Sequence, residues 1–170
     1  TYWAFDHYIN FYAKFSKPFA YTLITDSVTM ENGKRLPVCK AVLHFNTKKD
    51  EEVLVKVGVS AVDIAGARKN VESEIPEWDF DKVRKDARTA WNNYLSKIDI
   101  TTSDKEDKAI FYTALYHTGI SPNLFTDADG RYLGMDLEVH QGDTLNPIYT
   151  VFSLWDTFRA AHPLYTLIHT

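Results

Sequence analysis

The sequence is poor in the residues that build thiolate chemistry, because Cys39 is its only cysteine. A single cysteine excludes an intrachain disulfide, dithiol redox chemistry and a multi-thiolate zinc site within these 170 residues. Cys39 lies in an apolar, strand-like run, so we expect a buried thiol. The six histidines lack the HExxH spacing of a zinc-binding helix, and we interpret each as a polar surface or core residue.

Long apolar runs and an excess of basic charge are also absent. No stretch approaches the roughly 20 apolar residues of a membrane helix, and the first residues lack the basic start and apolar middle of a signal peptide. The formal net charge is -4, and Lys and Arg are interspersed with Asp and Glu. These features exclude a membrane span in this segment and a nucleic-acid partner. The protein is either cytosolic or has an export signal outside this segment.

Hydrophobic residues make up 45% of the chain and charged residues 25%, which is typical of a globular protein. Aromatic residues make up 14%, and their rings suit both ordinary cores and surfaces that stack against sugar rings.

The first sixty residues read as four β-strands. Period-two alternation or β-branched composition marks each strand, and Asn-Gly within Glu31–Lys34 predicts a tight turn. The four predicted strands cover residues 8–15, 19–25, 38–45 and 53–59. Strands joined by turns predict one antiparallel sheet, whose apolar face needs a second layer, which we expect from strands upstream.

The pattern becomes helical after Ser60. Ser60 and Asp63 form a capping-box-like start for a helix that continues to about Glu74. Asp79 is predicted to cap a longer amphipathic helix that reaches Ile98. These two helices resemble an interdomain linker.

Two further helical patterns follow. Ser103 and Glu106 form another capping box, and Gly119 can end the helix that they begin. A last helical pattern starts at Ser153 and continues to the end of the chain, with a kink expected at Pro163. Because the sequence stops inside this pattern, we expect an incomplete piece of a larger protein.

Asp127–Gly130 superficially resembles the start of a calcium-binding EF-hand loop. Arg131 occupies the fifth position, where a ligand is required, and Tyr132 the sixth, where glycine is required. We therefore interpret Asp127–Gly130 as the tip of a hairpin between residues 124–125 and 132–133.

The strongest candidate for a functional site is the segment around Trp155, Asp156 and Arg159. Asp156 and Arg159 are three residues apart and can share a helical face. One interpretation is a local ion pair with an acid that complements the helix dipole, and with Trp155 in the core. The other is that the carboxylate and guanidinium hold sugar hydroxyls while the indole forms an apolar wall.

The run YTVFSLWDTFRAAHPL, residues 149–164, resembles the signature of glycoside hydrolase family ninety-two, the bacterial exo-acting α-mannosidases. Residues 56–67, 113–118 and 127–136 resemble other segments of this family. The resemblance implies an α+β fragment: residues 1–60 are the last strands of an N-terminal β-sandwich, 61–102 a helical linker, and 103–170 the first helices of an (α/α)6 barrel.

The resemblance also implies the chemistry. The complete enzyme would hydrolyse terminal α-linked mannose of glycans with inversion, aided by calcium. The acid, the base and the calcium ligands are expected beyond residue 170, so this segment has no catalytic residue or metal ligand and is expected to be inactive alone. Trp155, Asp156 and Arg159 are assigned to substrate binding. Periplasmic, cell-surface or secreted localisation is inferred from the family.

Two other interpretations remain open. The segment could be a non-catalytic carbohydrate-binding β-sandwich module with a helical extension. It could also be a structural, partner-binding domain, which would have an exposed apolar patch and no sugar affinity. A long helical continuation of the gene after Thr170 favours the enzyme, and a stop codon there favours the module.

Overall fold

The computed structural model describes residues 9–29, 33, 35–143 and 145–169. Within these residues the chain divides into two compact units. One comprises Ala13–Val57, and the other comprises residues 58–170 with the described residues before Ala13. The elements are β1 (Asn10–Phe15), β2 (Phe19–Thr29), β3 (Arg35–Phe45), β4 (Val55–Ser60), α1 (Ile64–Glu74), α2 (Phe80–Leu95), α3 (Lys105–Thr118), β5 (Arg131–Leu133), β6 (Val139–Gln141), α4 (Leu154–Thr157) and α5 (Ala161–Ile168).

The strands form separate antiparallel pairs, so the prediction of one sheet from four consecutive strands was wrong. β2 and β3 pair along their full length, from Phe19 opposite Phe45 to Thr29 opposite Arg35. β1 pairs with β4 instead of with β2. The predicted turn at Glu31–Lys34 lies outside the described residues except for Gly33, which has the positive φ of 78° that such a turn requires. Cys39 is exposed, which corrects the expectation of a buried thiol.

β4 turns its small and polar side chains inward. Lys56, Gly58 and Ser60 are buried, whereas the valines at 55, 57 and 59 are exposed by 53%, 53% and 59%. A Cβ at Gly58 would lie 2.1 Å from the carbonyl oxygen of Ala67, so glycine permits the close approach of α1. The apolar face of β4 is therefore uncovered within the described residues.

Local capping signals position the first three helices. Asp63 caps α1 by accepting a hydrogen bond of 2.5 Å from the N–H of Gly66. The prediction that Ser60 begins the capping box of α1 was wrong, because Asp63 is the N-cap. Ser60 lies three residues earlier, and its hydroxyl accepts from the N–H groups of Val62 and Asp63. Asp79 caps α2 as predicted, through the N–H of Lys82. α2 ends at Leu95, before Ile98.

α3 begins one residue later than its predicted capping box. Asp104, and not Ser103, is its N-cap and accepts a hydrogen bond from the N–H of Glu106. Gly119 is the C-cap, as predicted. The helix packs on α2, where the Trp91 and Tyr116 ring centroids lie 4.4 Å apart.

The last helical pattern forms two helices, not one. The break falls at Phe158–Ala160, between α4 and α5, where Ala160 has φ −133° and ψ −55°. Pro163 lies in the first turn of α5, where its missing N–H removes no helical hydrogen bond, so the predicted kink does not arise there. No helix among the described residues is both long and apolar enough to cross a bilayer.

β5 and β6 form a hairpin, with Arg131 opposite Gln141 and Leu133 opposite Val139. The predicted turn at Asp127–Gly130 exists: the Gly130 N–H donates to the Asp127 carbonyl at 2.8 Å. However, Leu124 bridges to Tyr149 and not to β5, so the predicted hairpin around this turn was wrong. The prediction paired residues 124–125 with 132–133, but the true partner of each segment lies further along the chain.

Candidate functional site

The segment that precedes α4 is held in an extended conformation by residues 123–126. The N–H of Phe125 donates to the carbonyl of Ile148 at 2.8 Å, and the N–H of Ile148 donates to Thr126 Oγ1 at 2.6 Å. Asn123 and Thr150 exchange two further hydrogen bonds of 2.8 and 2.9 Å. These paired segments fix the direction in which the chain enters α4.

Asp156 lies in the first turn of α4, where a negative charge complements the helix dipole. The carbonyl of Ser153 accepts from the N–H groups of Asp156 and Thr157, although the Ser153 side chain makes no cap bond. The Asp156 carboxylate is exposed and has no hydrogen-bond or ion-pair partner among the described residues. It is therefore available to accept hydrogen bonds from a ligand.

The two other candidate residues flank this carboxylate in sequence. The indole of Trp155 is 78% exposed, so it is not part of the core of this chain. The Arg159 guanidinium lies 5.1 Å from the Phe158 ring centroid, a cation–π contact. Within the part of the chain that the structure describes, Arg159 forms no ion pair with Asp156. The local ion pair that the alternative interpretation required is absent from these residues.

Two concave surfaces adjoin this segment. One, of about 470 Å³, is lined by Tyr149, Phe152 and Tyr165 together with residues of α2 and α3. The other, of about 660 Å³, is lined by Phe158, His162 and further residues of α5. His162 Nδ1 is buried without a hydrogen-bond partner among the described residues. Aromatic walls with few polar groups are typical of small-molecule sites.

Sequence reasoning missed a buried polar cluster that supports this region. The side chain of Asp127 is only 5% exposed and accepts hydrogen bonds from Ser60 Oγ at 2.7 Å and from Asn70 Nδ2 at 2.8 Å. Asn70 Oδ1 in turn accepts from the N–H of Ala128 at 2.7 Å. No local sequence pattern indicates this cluster, because Ser60 and Asp127 are 67 residues apart in sequence.

An ion-pair network surrounds this cluster. Arg131 donates to both carboxylate oxygens of Asp63, at 2.7 and 3.2 Å, and to Asp129 at 2.9 Å. Lys69 also donates to Asp129, at 2.8 Å. Hydrogen bonds from Lys69 and then Arg131 lower the pKa of Asp129 to about 2, and Arg131 lowers that of Asp63.

The tip of the β5–β6 hairpin holds a second pair. His140 Nε2 lies 3.0 and 2.9 Å from the two carboxylate oxygens of Asp136, and the Tyr132 ring stacks on the imidazole. The hydrogen bond from His140 lowers the pKa of Asp136. A Cβ at Gly134 would lie 2.3 Å from Asp136 Oδ1, so glycine is needed for this geometry.

The described residues contain no group of three or more His, Cys, Asp or Glu side chains that is placed to hold a metal ion. The carboxylates of Asp63, Asp127 and Asp129 already accept hydrogen bonds from protein groups. These carboxylates therefore serve the packing of the loop on α1.

Comparison with known proteins gives consistent results. A structure of an α-mannosidase of family 92 from Bacteroides thetaiotaomicron matches with a TM-score of 0.80 and 34% identity, covering 92% of this chain and 22% of that one. A structure of that enzyme in complex with mannoimidazole gives the same values. An inverting family 92 mannosidase from the same species matches with a TM-score of 0.76 and 29% identity, again covering 92% and 22%.

An uncharacterized secreted glycosidase of Arthroderma benhamiae is 35% identical over an alignment of 105 residues, which covers 53% of this chain and 14% of that protein. The chain thus spans about a fifth of the length of the matched structures and less of this relative. It shares with those structures a mixed arrangement of helices and small antiparallel sheets. The model of the glycosyl hydrolase family 92 catalytic domain matches residues 66–170, more than half of the chain, and the chain therefore belongs to this family.

Proposed function

We propose that the chain is part of an inverting glycoside hydrolase that releases terminal α-linked mannose from glycans. The family match over residues 66–170 carries this proposal, because the matched region contains the whole segment 149–164. Two matched structures are described as mannosidases, one of them as inverting. Because the matching model is that of a catalytic domain, it favours the enzyme over a non-catalytic carbohydrate-binding module.

We further propose the domain organisation that the family resemblance implies. Residues 1–60 would contribute strands to a β-sandwich, 61–102 a helical linker, and 103–170 the start of an (α/α)6 barrel. The exposed valines of β4 support the first part, because a second sheet would cover them. The contact of α2 with α3 through Trp91 and Tyr116 supports a linker that packs on the first helix of the barrel.

In the proposed site, Asp156 accepts hydrogen bonds from hydroxyls of the terminal mannose. Its exposed and unpaired carboxylate supports this role, since hydrogen bonds to an ionised acceptor are stronger than neutral ones. The exposed indole of Trp155 would pack against the apolar face of the sugar ring. Arg159, held on the ring of Phe158, would orient Asp156 or the sugar.

Inversion requires a carboxylic acid that protonates the leaving oxygen and a carboxylate that activates water, roughly 6.5–9.5 Å apart. We propose that both lie outside residues 1–170, so the contribution of this chain is to bind and orient the sugar. Calcium would contact sugar hydroxyls in the complete enzyme. Asp63, Asp127 and Asp129 do not fit a calcium site because protein donors already occupy their oxygens, and we propose that the ligands lie elsewhere.

We also propose that the complete protein is exported, to the periplasm, the cell surface or the medium. One matched relative is described as secreted, which supports the proposal. The partner would be a mannose-containing glycan.

The test is Asp156→Asn in the intact enzyme. Loss of a charged acceptor for sugar hydroxyls should cost about 2–4 kcal/mol of transition-state binding, which lowers kcat/KM by about thirtyfold or more. Affinity for mannoimidazole, the ligand of the Bacteroides relative, should fall as well. The melting temperature should change little, because the carboxylate has no partner among the described residues.

Asp107→Asn is the matched control, because Asp107 is another exposed acid in the first turn of a helix, α3. It should change kcat/KM less than twofold and lower the stability by only about 0.3 kcal/mol. An Asp156→Asn enzyme that melts lower but turns over substrate normally would reduce Asp156 to a helix-stabilising acid. Intact protein that binds mannosides without hydrolysing them would favour the binding module.

A further inference from the structure

We propose that Asp127 is a positioning residue of the sugar site, which acts by fixing the segment that aims α4 and Asp156. The inference rests on the proposed function of Asp156. Asp127 itself is buried and would not contact the substrate.

The carboxylate of Asp127 is held at defined points. Oδ2 accepts from Ser60 Oγ at 2.7 Å and Oδ1 accepts from Asn70 Nδ2 at 2.8 Å. The Asn70 amide also donates to the carbonyl of Val59 at 2.8 Å. Burying a carboxylate without such donors would cost free energy, so the Asp127 side chain is held in the position where these hydrogen bonds form. The loop is thereby tied to the end of β4 and to the middle of α1.

The close approach of α1 depends on Gly66. A Cβ at this position would lie 2.2 Å from Asp127 Oδ2 and 2.9 Å from Ser60 Oγ. The N–H of Ala128 also donates to Asn70 Oδ1, so the same asparagine holds the loop backbone and the Asp127 side chain. The Asp127 carboxylate and the Ser60 hydroxyl therefore fill the space beside Gly66.

Asp127 directly follows the segment that is paired with the approach to α4. The N–H groups of Phe125 and Thr126 donate to the carbonyl of Ile148 at 2.8 and 3.2 Å, and Leu124 bridges to Tyr149. Ser153, the N-cap of α4, follows Thr150 by only three residues. A shift at Asp127 is therefore transmitted through these backbone hydrogen bonds to α4, which carries Asp156.

The first experiment replaces Asp127 by Asn in the intact enzyme. In asparagine, an NH2 group that donates replaces one of the two carboxylate oxygens, which accept from Ser60 and Asn70. One of these hydrogen bonds is therefore lost, and the loop shifts. Displacing a substrate-positioning group by about 1 Å can lower the catalytic rate by up to about a hundredfold. We therefore expect kcat/KM for an aryl α-mannoside to fall about tenfold in protein that is still folded. Glu72→Gln, the same carboxylate-to-amide change on the exposed face of α1, should leave kcat/KM within about twofold of wild type.

The decisive readout is a double-mutant cycle with Asp156→Asn. If Asp127 acts through Asp156, Asp127→Asn should cost much less activity when Asp156 is already Asn. A purely structural role would lower the melting temperature without this coupling. If Asp127→Asn fails to fold, Asn70→Ala replaces it in the cycle. This change removes the hydrogen bonds of Asn70 to Asp127, to the Val59 carbonyl and to the Ala128 N–H, and it keeps the hydrogen bond from Ser60 to Asp127.

The outcomes separate this inference from the proposed function. Additive losses in the cycle, or wild-type kcat/KM in both Asp127→Asn and Asn70→Ala, would overturn the positioning role while the role of Asp156 stands. Wild-type activity of Asp156→Asn alone would overturn the role of Asp156 and, with it, positioning through Asp156.

Discussion

Gly66 is the residue at which local propensity and tertiary packing oppose each other most clearly. Glycine inside a helix normally costs about 0.5–1 kcal/mol relative to alanine, so the helical position alone favours replacement. A methyl group here, however, would lie 2.2 Å from the buried carboxylate of Asp127. Because hydrogen bonds hold that carboxylate, it cannot move away without losing them.

We therefore expect Gly66→Ala to destabilise the intact enzyme by about 1–3 kcal/mol, the usual cost of overpacking. Thermal unfolding measures the effect. Ser73→Ala is the control, because Ser73 lies on the exposed side of the same helix, and alanine there should stabilise it by about 0.5 kcal/mol. A Gly66→Ala enzyme with a raised melting temperature would show that the loop does not pack on α1 as described.

At the scale of elements, the sequence predicts what local signals determine. The end of α1 at Glu74, the cap of α2 at Asp79 and the end of α3 at Gly119 all agree with the structure. Each depends on side chains within one turn of the element that they begin or end. Such signals are complete in a short window of sequence.

Pairing over long sequence separations was not predictable in this way. The Asp127–Gly130 turn was recognised, but Leu124 pairs with Tyr149 and β5 with β6. The break between α4 and α5 also escaped prediction, because the apolar spacing continues across Phe158–Ala160. Trp155, Asp156 and Arg159 were chosen from the sequence and stay predictions, whereas the Asp127 cluster emerged only from the fold.

The network that links α1 to the loop has a defined dependence on pH. The pKa of Asp129 is lowered to about 2, chiefly by Lys69, so the folded state binds protons less readily than the unfolded state. The stabilisation is therefore present above about pH 4 and is lost as the pH falls toward 2. Lys69→Met should lower the melting temperature above pH 4, and the difference from wild type should shrink below it. Lys85→Met, at an exposed site on α2, is the control, and a difference independent of pH would contradict this assignment.

The exposed valines of β4 test the proposed second sheet. In the intact enzyme, Val57→Thr should cost about 1–2 kcal/mol if another sheet covers this face, because the hydroxyl would be buried without a partner. Without a covering layer the change should stay within about 0.5 kcal/mol. Lys49→Thr, at an exposed position in the β3–β4 connection, should be neutral in either case. Chemical denaturation of the three proteins decides between the two outcomes.

At the scale of the whole molecule, we propose that this chain is part of a larger enzyme. It spans 22% of the length of the matched structures. We propose that its candidate residues bind and orient the sugar and that the acid and the base lie outside residues 1–170. Hydrogen bonds connect α1 to the chain that leads into Asp156. They run from α1 to the buried Asp127 cluster, and the adjoining segment 123–126 pairs with residues 148–150, which precede α4. The proposed activity depends on residues outside the chain as much as on this connection.

The most direct measurement is proton NMR of the anomeric signals while the intact enzyme hydrolyses an α-mannoside. Inversion predicts that β-mannose appears first and that α-mannose follows only as the product mutarotates. Residues 1–170 alone, assayed in parallel, should release no mannose, because the acid and base are expected elsewhere. First appearance of α-mannose, the absence of any mannose release by the intact enzyme, or release by residues 1–170 alone would contradict the proposal.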